Sequence, residues 1–421
     1  MFQLPVVKPI AACLLAAVLL TGSAPAALAG TAGDGTGAGD GADEVAAAAR
    51  AGQWQLGALR LPEAWRVTKG EGVTVAVLDT GVNPHHPDLK GAVVQGPDLT
   101  APGGSGNGRR WGPHGTAMAG LIAGRGHGEG HRGGVLGVAP AARVLSIRVT
   151  LENGDPRRAR SRPGWRDALA RGIRYAADHG ANVISMSLGG GSGAWEDSAA
   201  EEEAVQYAIA KGAVLVASSG NDGAEANRKN FPAAYPGVIA VGAVDRRGRV
   251  ARFSNRQDYL SVVAPGTDIV TADGDDSYVV SDGTSSAAAM VAGIAALIKS
   301  AHPHLSPYHV RMAIEMGTRR RPGADRYSPD YGHGMANAAL ALRAAARLAA
   351  PAATPPRPGP YFVAAPASRT AVAAGMVVLA IAMSGWVVLR SQGRRTAAAG
   401  RAGRAGPVRP RLRTDRRDLR T

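Results

Sequence analysis

The sequence has almost no cysteine, few aromatic side chains and no acidic excess, and each shortage excludes something. Of 421 residues one is cysteine, Cys13. It lies in a stretch expected to be removed, so the mature chain has no disulfide and depends on its core, which a chain of this length can supply. Aromatic residues are 5% of the total, too sparse for a surface that stacks RNA bases. The net charge of +15 resembles a nucleic-acid signal until it is located. Arg390 to Thr421 holds eleven arginines and two aspartates, a charge of +9, which leaves +6 for the rest. The excess is mostly a tail without interleaved aromatics, and no nucleic-acid partner is expected.

What is present divides the chain into six parts. Residues 1–29 read as a signal peptide: Lys8, then the apolar run Ile10 to Leu20, then the small-residue site Ala27-Leu28-Ala29. Residues 30–51, rich in Gly, Ala and Asp, read as a flexible, poorly ordered extension. Residues 52–348 read as one globular domain, entered through Trp54, Leu56, Leu59, Leu61 and Trp65, which suit a domain surface. Residues 349–370 are a Pro/Ala-rich, semi-stiff linker. Residues 371–389 carry neither charge nor proline, and as a helix would reach about 28 Å, close to the hydrocarbon thickness of a bilayer. Arg390, Arg394 and Arg395 follow at once, which predicts a single-pass cell-membrane protein with residues 390–421 as a basic cytoplasmic tail and the globular domain outside. That tail suits anionic lipid or a cytoplasmic partner.

Within the domain, Val73 to Leu78 is a nearly continuous apolar run of β-branched type, and Val144 to Val149, Val183 to Leu188, Ala213 to Ala217 and Val238 to Val244 are further strands. Helices are predicted over Arg166 to His179, Glu201 to Lys211, Ala287 to Ile298, Ser306 to Met316 and Met335 to Leu348. Strands and helices alternate, with glycine stops at Gly180 and Gly212. The fold class is therefore α/β, a mainly parallel sheet covered on both faces. Ligands in such folds sit beyond the carboxyl ends of the strands, where Asp79 and Ser187 to Gly190 fall.

Ser285 stands where a Gly-Thr-Ser turn enters the Ala-rich helix. Its N–H lies at the positive end of the helix dipole, which suits a nucleophile and equally suits an ordinary helix cap. A serine hydroxyl needs an imidazole to take its proton and a carboxylate to fix that imidazole's tautomer. His114, at the start of another small-residue helix, and Asp79, after the first strand, supply the two groups. His85, His86, His127 and His131 compete for the base but lie in loops rich in glycine, proline or charge. His85 and His86 with Asp88 have no second ligand cluster to make a metal site. Asn221, in Gly220-Asn221-Asp222 after a buried strand, can aim its amide at the same point as the Ser285 N–H and complete an oxyanion hole.

These segments resemble the subtilisin-like serine proteases, or subtilases, peptidase family S8. The likeness runs through Val77-Leu-Asp-Thr-Gly81, His114-Gly-Thr116, Gly137-Val-Ala-Pro140, Gly220-Asn221, Val263-Ala-Pro-Gly266, Gly283-Thr-Ser-Ser-Ala287 and Gly332-His-Gly-Met-Ala-Asn337. The resemblance implies a three-layer α/β/α fold and a catalytic triad of Asp79, His114 and Ser285. It implies an oxyanion hole from Asn221 and Ser285, and a peptide substrate added as a β-strand along Ser187, Leu188 and Gly189. It also implies a pocket lined by Ser218, Ser219 and Gly220 for the side chain before the cleaved bond. No metal and no cofactor are expected. Asp88 matches a family calcium ligand, but Gly128 to Gly134 lacks the Asn-rich calcium-binding sequence.

The order of export signal, protease domain, linker, span and basic tail is similar to the mycosins, membrane-anchored subtilases associated with type VII secretion. That likeness implies an N-terminal extension that wraps the domain, and protein substrates and partners in a type VII secretion membrane complex. The competing expectation is a structural subunit of that complex whose protease activity is dispensable. The sequence departs from the pattern at Ala289-Met290, in having no disulfide, and in the arginine-rich insertion Asp155 to Arg166.

Overall fold

The computed structural model describes residues 8–9, 37–100, 112–157, 162–189, 197–319 and 327–350, together with Met383 and Trp386. It divides into two units, Met1–Pro351 and Ala352–Thr421. The expected linker, span and tail at 349–421 lie almost wholly outside the described residues, as do residues 155–166 in part.

In chain order the strands are β1 (Thr74–Asp79), β2 (Val93–Asp98), β3 (Arg125–His127), β4 (Gly133–Leu136), β5 (Arg143–Arg148), β6 (Val183–Met186), β7 (Val214–Ser218), β8 (Ile239–Val244), β9 (Leu260–Pro265), β10 (Ile269–Asp273), β11 (Ser277–Ser281), β12 (Thr318–Arg319) and β13 (Met335–Ala336). Before them, Lys8–Pro9 pairs with Val279 and Val280 of β11. The helices are α1 (Gly37–Gly52), α2 (Trp54–Ala58), α3 (Leu61–Ala64), α4 (Pro113–Ala123), α5 (Arg162–Asp178), α6 (Ala199–Ala210), α7 (Thr284–Ala301), α8 (Pro307–Met316) and α9 (Ala338–Ala349).

Nine strands form the main sheet in the order β12-β13-β9-β8-β7-β6-β1-β5-β2. Every pairing in it is parallel except β12 with β13. The period-two geometry of a strand sends alternate side chains to opposite faces. Val75 and Val77 of β1 join a core with α4, α7, α8 and α9, whereas Ala76 and Leu78 join one with α5 and α6. Two apolar faces on one strand are why its sequence reads as a continuous run. The result is the expected three-layer α/β/α arrangement. Strand order reverses at β1, whose neighbours β5 and β6 both come later in the chain. The crevice at such a reversal, beyond the carboxyl ends of the strands, is where the fold presents ligand-binding groups.

Three expectations need correction. The extension 30–51 is not loose throughout: Gly37–Gly52 is helical. Ala46 and Ala49, spaced i and i+3, bury against Val135, Val270, Ala272 and Tyr278. A Cβ on Gly52 would lie 2.8 Å from Val270 Cγ2, so small residues, which read as disorder by composition, here permit close approach of a helix. The predicted element Met335 to Leu348 is split into β13 and α9, because the Asn337 side chain caps the helix by accepting from Leu340 N at 3.0 Å. The strand expected over Val183 to Leu188 stops at Met186, which frees Ser187 to Gly189 as an edge.

Among the described residues, one helix is long and apolar enough to cross a membrane, Thr284–Ala301. It is the central helix α7 of the domain, and its side chains from Ser286 to Lys299 are buried there. Met383 and Trp386 are helical with exposed side chains. The rest of residues 371–389 lies outside the described set.

Candidate active site

The site is assembled from three element ends. Asp79 is the last residue of β1 and is fully buried. Its Oδ1 accepts from Thr80 N and lies 2.7 Å from His114 Nδ1. An ionised carboxylate can only accept, so Nδ1 carries the proton and Nε2 is left as the basic nitrogen. His114 is the second residue of α4, whose first turn crosses the loop after β1 so closely that a Cβ on Gly115 would fall 2.3 Å from Gly81 O. Glycine at 115 is therefore a packing requirement, and it brings the imidazole to the aspartate.

Ser285 is the second residue of α7, after Gly283 and Thr284. At that position its N–H has no intrahelical acceptor. Its Oγ lies 3.4 Å from Ser187 O, and Ser187 Oγ donates to Ser285 O at 3.0 Å, which ties the helix start to the end of β6. Asn221 follows β7, and its Oδ1 accepts from both Thr284 N, at 2.9 Å, and Thr284 Oγ1, at 2.8 Å. Two donors on one oxygen fix the amide's orientation and turn Nδ2 the other way. A Cβ built on Gly283 would lie 3.7 Å from Asn221 Nδ2 and 3.7 Å from Ser285 N. Both nitrogens thus lie close to one point beside Gly283.

The residues expected to bind the peptide also come together. Ser218 Oγ donates to Leu188 O at 3.0 Å, which holds Ser187–Gly189 beside Ser218–Gly220. Ser218 and Ser219 are buried, with the Ser219 N–H donating to Val241 O at 2.9 Å. Gly189 and Gly220 have φ of 143° and 108°, in the region that favours glycine.

Residues 70–334 match the subtilase family, Peptidase S8. The chain belongs to the subtilase family. This subtilase is 40% identical over 269 residues to the thermophilic serine proteinase of Bacillus sp. strain AK1, covering 63% of the chain and 61% of that protein. It is 37% identical over 288 residues to thermitase of Thermoactinomyces vulgaris, covering 68% and 94%. Among solved structures, MycP1 from the ESX-1 type VII secretion system matches with a TM-score of 0.56 and 30% identity, over 69% of this chain and 84% of that one. The subtilisin-like likeness expected from the motifs and the mycosin likeness expected from the layout are both present among the matches, and the matched region is a subtilisin-like serine protease domain.

Sequence reasoning missed several residues that shape this subtilase's site. Asn230, fully buried, donates through Nδ2 to Ser218 O at 2.8 Å and to Leu188 O at 3.4 Å. It therefore bridges the segments Ser187–Gly189 and Ser218–Gly220. Asn255 accepts from Asp222 N at 2.8 Å and donates to Arg228 O at 2.9 Å, which holds the turn that carries Asn221. Asparagines in polar loops give no local signal for such long-range bridges. Thr80 and Glu152 reach the first turn of α4, from 35 and 38 residues away.

The calcium expectation can be tested at Asp88. This aspartate is fully buried, with Oδ1 2.6 Å from His127 Nδ1 and Oδ2 accepting from Val135 N at 2.8 Å. Calcium needs a cage of free oxygen ligands, and here both carboxylate oxygens already face nitrogen donors, so the residues do not fit that ion. His86, whose Nδ1 accepts from Asp88 N at 3.2 Å, is a buried structural histidine, its imidazole pushed below the ordinary range by burial. Arg50 of α1 reaches the same loop and donates to Gly134 O at 2.8 Å, Gly133 O at 2.9 Å and His131 O at 3.1 Å. Replacing Arg50 with alanine leaves those carbonyls without their cation and is expected to cost about 2 kcal/mol. Chemical denaturation of the two proteins side by side measures the loss. An unchanged midpoint would mean that α1 is not a structural part of the domain.

Proposed function

We propose that this subtilase is a membrane-anchored serine endopeptidase that cleaves proteins of a type VII secretion system. The observation that carries the reading is the 2.7 Å Asp79–His114 pair, and it is supported by a serine at a helix start whose own nitrogen and Asn221 Nδ2 lie near one point beside Gly283. Asp79 holds the His114 Nδ1–H, so Nε2 takes the Ser285 proton and Oγ attacks the peptide carbonyl. The Ser285 N–H and Asn221 Nδ2 receive the charge that develops on the carbonyl oxygen. His114 then returns its proton to the leaving amine, and a water deprotonated by the same nitrogen hydrolyses the acyl-enzyme. The peptide lies along Ser187, Leu188 and Gly189 as an added strand, with the side chain before the cleaved bond beside Ser218, Ser219 and Gly220. Residues 1–29 are the export signal, residues 371–389 the span, and residues 390–421 the cytoplasmic tail.

The secretion role is supported by the likeness to MycP1 of the ESX-1 type VII secretion system. Because the chain spans 61% of the length of the Bacillus relative, its substrates and partners rest on this proposal. One experiment separates catalysis from a purely structural role in the secretion complex. A deletion strain is complemented with full-length Ser285→Ala protein, and both secretion and the membrane fraction are measured. Lost secretion with the protein still sedimenting with membranes is the expected result. Restored secretion would transfer the function to the scaffold, and protein in the culture supernatant would remove the anchor.

A further inference from the structure

The helix that carries the general base has an unusual start. Its N-cap is Gly112, which has no side chain to cap with, and its first residue is Pro113, which has no N–H. Two first-turn donors remain, His114 N–H and Gly115 N–H, and both are taken by side chains from outside the helix. Thr80 Oγ1, adjacent to Asp79, accepts from Gly115 N at 2.9 Å. Glu152 Oε1, on the loop after β5, accepts from His114 N at 2.9 Å. A Cβ on Gly112 would fall 2.2 Å from that Glu152 oxygen and 2.6 Å from Thr80 Oγ1. Glycine at the N-cap is what lets a carboxylate reach the backbone of the base.

We infer that Glu152 is a positioning residue for catalysis, clamping the His114 backbone while its negative charge offsets the positive end of the α4 dipole beside the imidazole. The inference rests on His114 being the general base. Glu152 touches the peptide N–H of His114 and not the ring, so it acts through the base. The reason for a charged cap is specific. A helix N-terminus disfavours a cation, and catalysis by this base requires an imidazolium to form at every turnover. Asp79 compensates from the Nδ1 side at 2.7 Å, and Glu152 compensates from the backbone side. The neighbouring charges on β5, β2 and the following loop have opposite-charge partners: Arg148 lies 3.4 Å from Asp98, and Arg157 lies 2.7 Å from Asp155. Glu152 is therefore the carboxylate among the described residues that answers the helix end directly. It is half-buried and lies outside the motifs that identify the family.

The test compares wild-type, Glu152→Gln and Glu152→Ala proteins, full-length, in kcat/KM against pH. Glutamine keeps an acceptor for the His114 N–H and removes the charge, whereas alanine removes both. Loss of a negative charge beside the imidazolium disfavours the protonated base, so the acid limb of the profile moves to lower pH, by about half a unit in both variants. The alanine variant, with the clamp gone, also loses about tenfold in plateau kcat, and the glutamine variant loses less. A merely structural cap would lower stability without moving the limb. An unmoved limb in Glu152→Gln together with undiminished kcat in Glu152→Ala would overturn the inference. Should a variant fold poorly, NMR titration of His114 in the Ser285→Ala and Ser285→Ala/Glu152→Gln proteins reads the same shift without activity. If His114→Ala retained wild-type kcat, the assignment of the base would be at fault, and not the role of Glu152.

Discussion

Alanine at Ser285 is expected to lower kcat about a million-fold, to abolish fluorophosphonate labelling and to leave the fold intact. The activity loss follows from the removal of the attacking oxygen. The structural effect is small because Oγ makes one long contact, 3.4 Å to Ser187 O, while the bond from Ser187 Oγ to the Ser285 carbonyl survives the substitution. Stability should therefore change by less than about 1 kcal/mol. His114→Ala is expected to cost about as much in kcat, and the double variant no more than either single one. A serine without its base and a base without its serine are equally unable to form the acyl-enzyme, so the two losses do not add. What survives in all three is rate enhancement of about a thousand-fold over water, supplied by the oxyanion donors and substrate binding. Steady-state kinetics on a fluorogenic peptide, with melting curves on each protein, decide the matter. Additive losses, or a Ser285→Ala protein with more than a hundredth of wild-type kcat after active-site titration, would exclude a serine nucleophile activated by His114.

These residues were legible in the sequence because each sits at an element boundary that its neighbours announce. Asp79 ends an apolar run, and His114 and Ser285 precede stretches of small residues that build α4 and α7. Such local patterns survive without knowledge of the fold. Glu152, Asn230 and Asn255 were not legible, since each is a polar loop residue whose partner is brought near only by the finished sheet. Helix α1 was missed for a related reason. Its buried positions are alanines, which composition counts as weakly apolar, and its polar anchor, Arg50, bonds to carbonyls more than 80 residues away. The hairpin of β10 and β11 was overlooked although Asp273-Gly274 marks its turn. Helix α7 shows the opposite limit: it is as long and apolar as a membrane span, with a mean hydropathy of 1.3, yet 83% of it is buried inside the protein. Length and apolarity alone do not separate a core helix from a span. For residues 371–389 the reading depends on the arginines that follow and the prolines that precede.

Substitution at Asn221 should reduce kcat by about a hundred- to a thousand-fold with little change in KM, because its Nδ2 bond strengthens only as the carbonyl oxygen becomes an oxyanion. The side chain has two jobs, and two variants separate them. Its Oδ1 accepts from the Thr284 N–H and hydroxyl, a structural bond at the start of α7, while Nδ2 faces the space beside Gly283. Asn221→Ala removes both groups and is expected to lose stability, by about 1 kcal/mol, as well as activity. Asn221→Asp keeps the acceptor for Thr284, so its melting temperature should stay close to wild type. It replaces the donor with an anionic oxygen, which repels the charge it should stabilise, so its kcat should fall at least as far as that of the alanine variant. Activity that tracked stability, with the aspartate variant nearly as active as wild type, would mean that Asn221 only holds the helix start. In that case the developing charge would rest on the Ser285 N–H without a second donor.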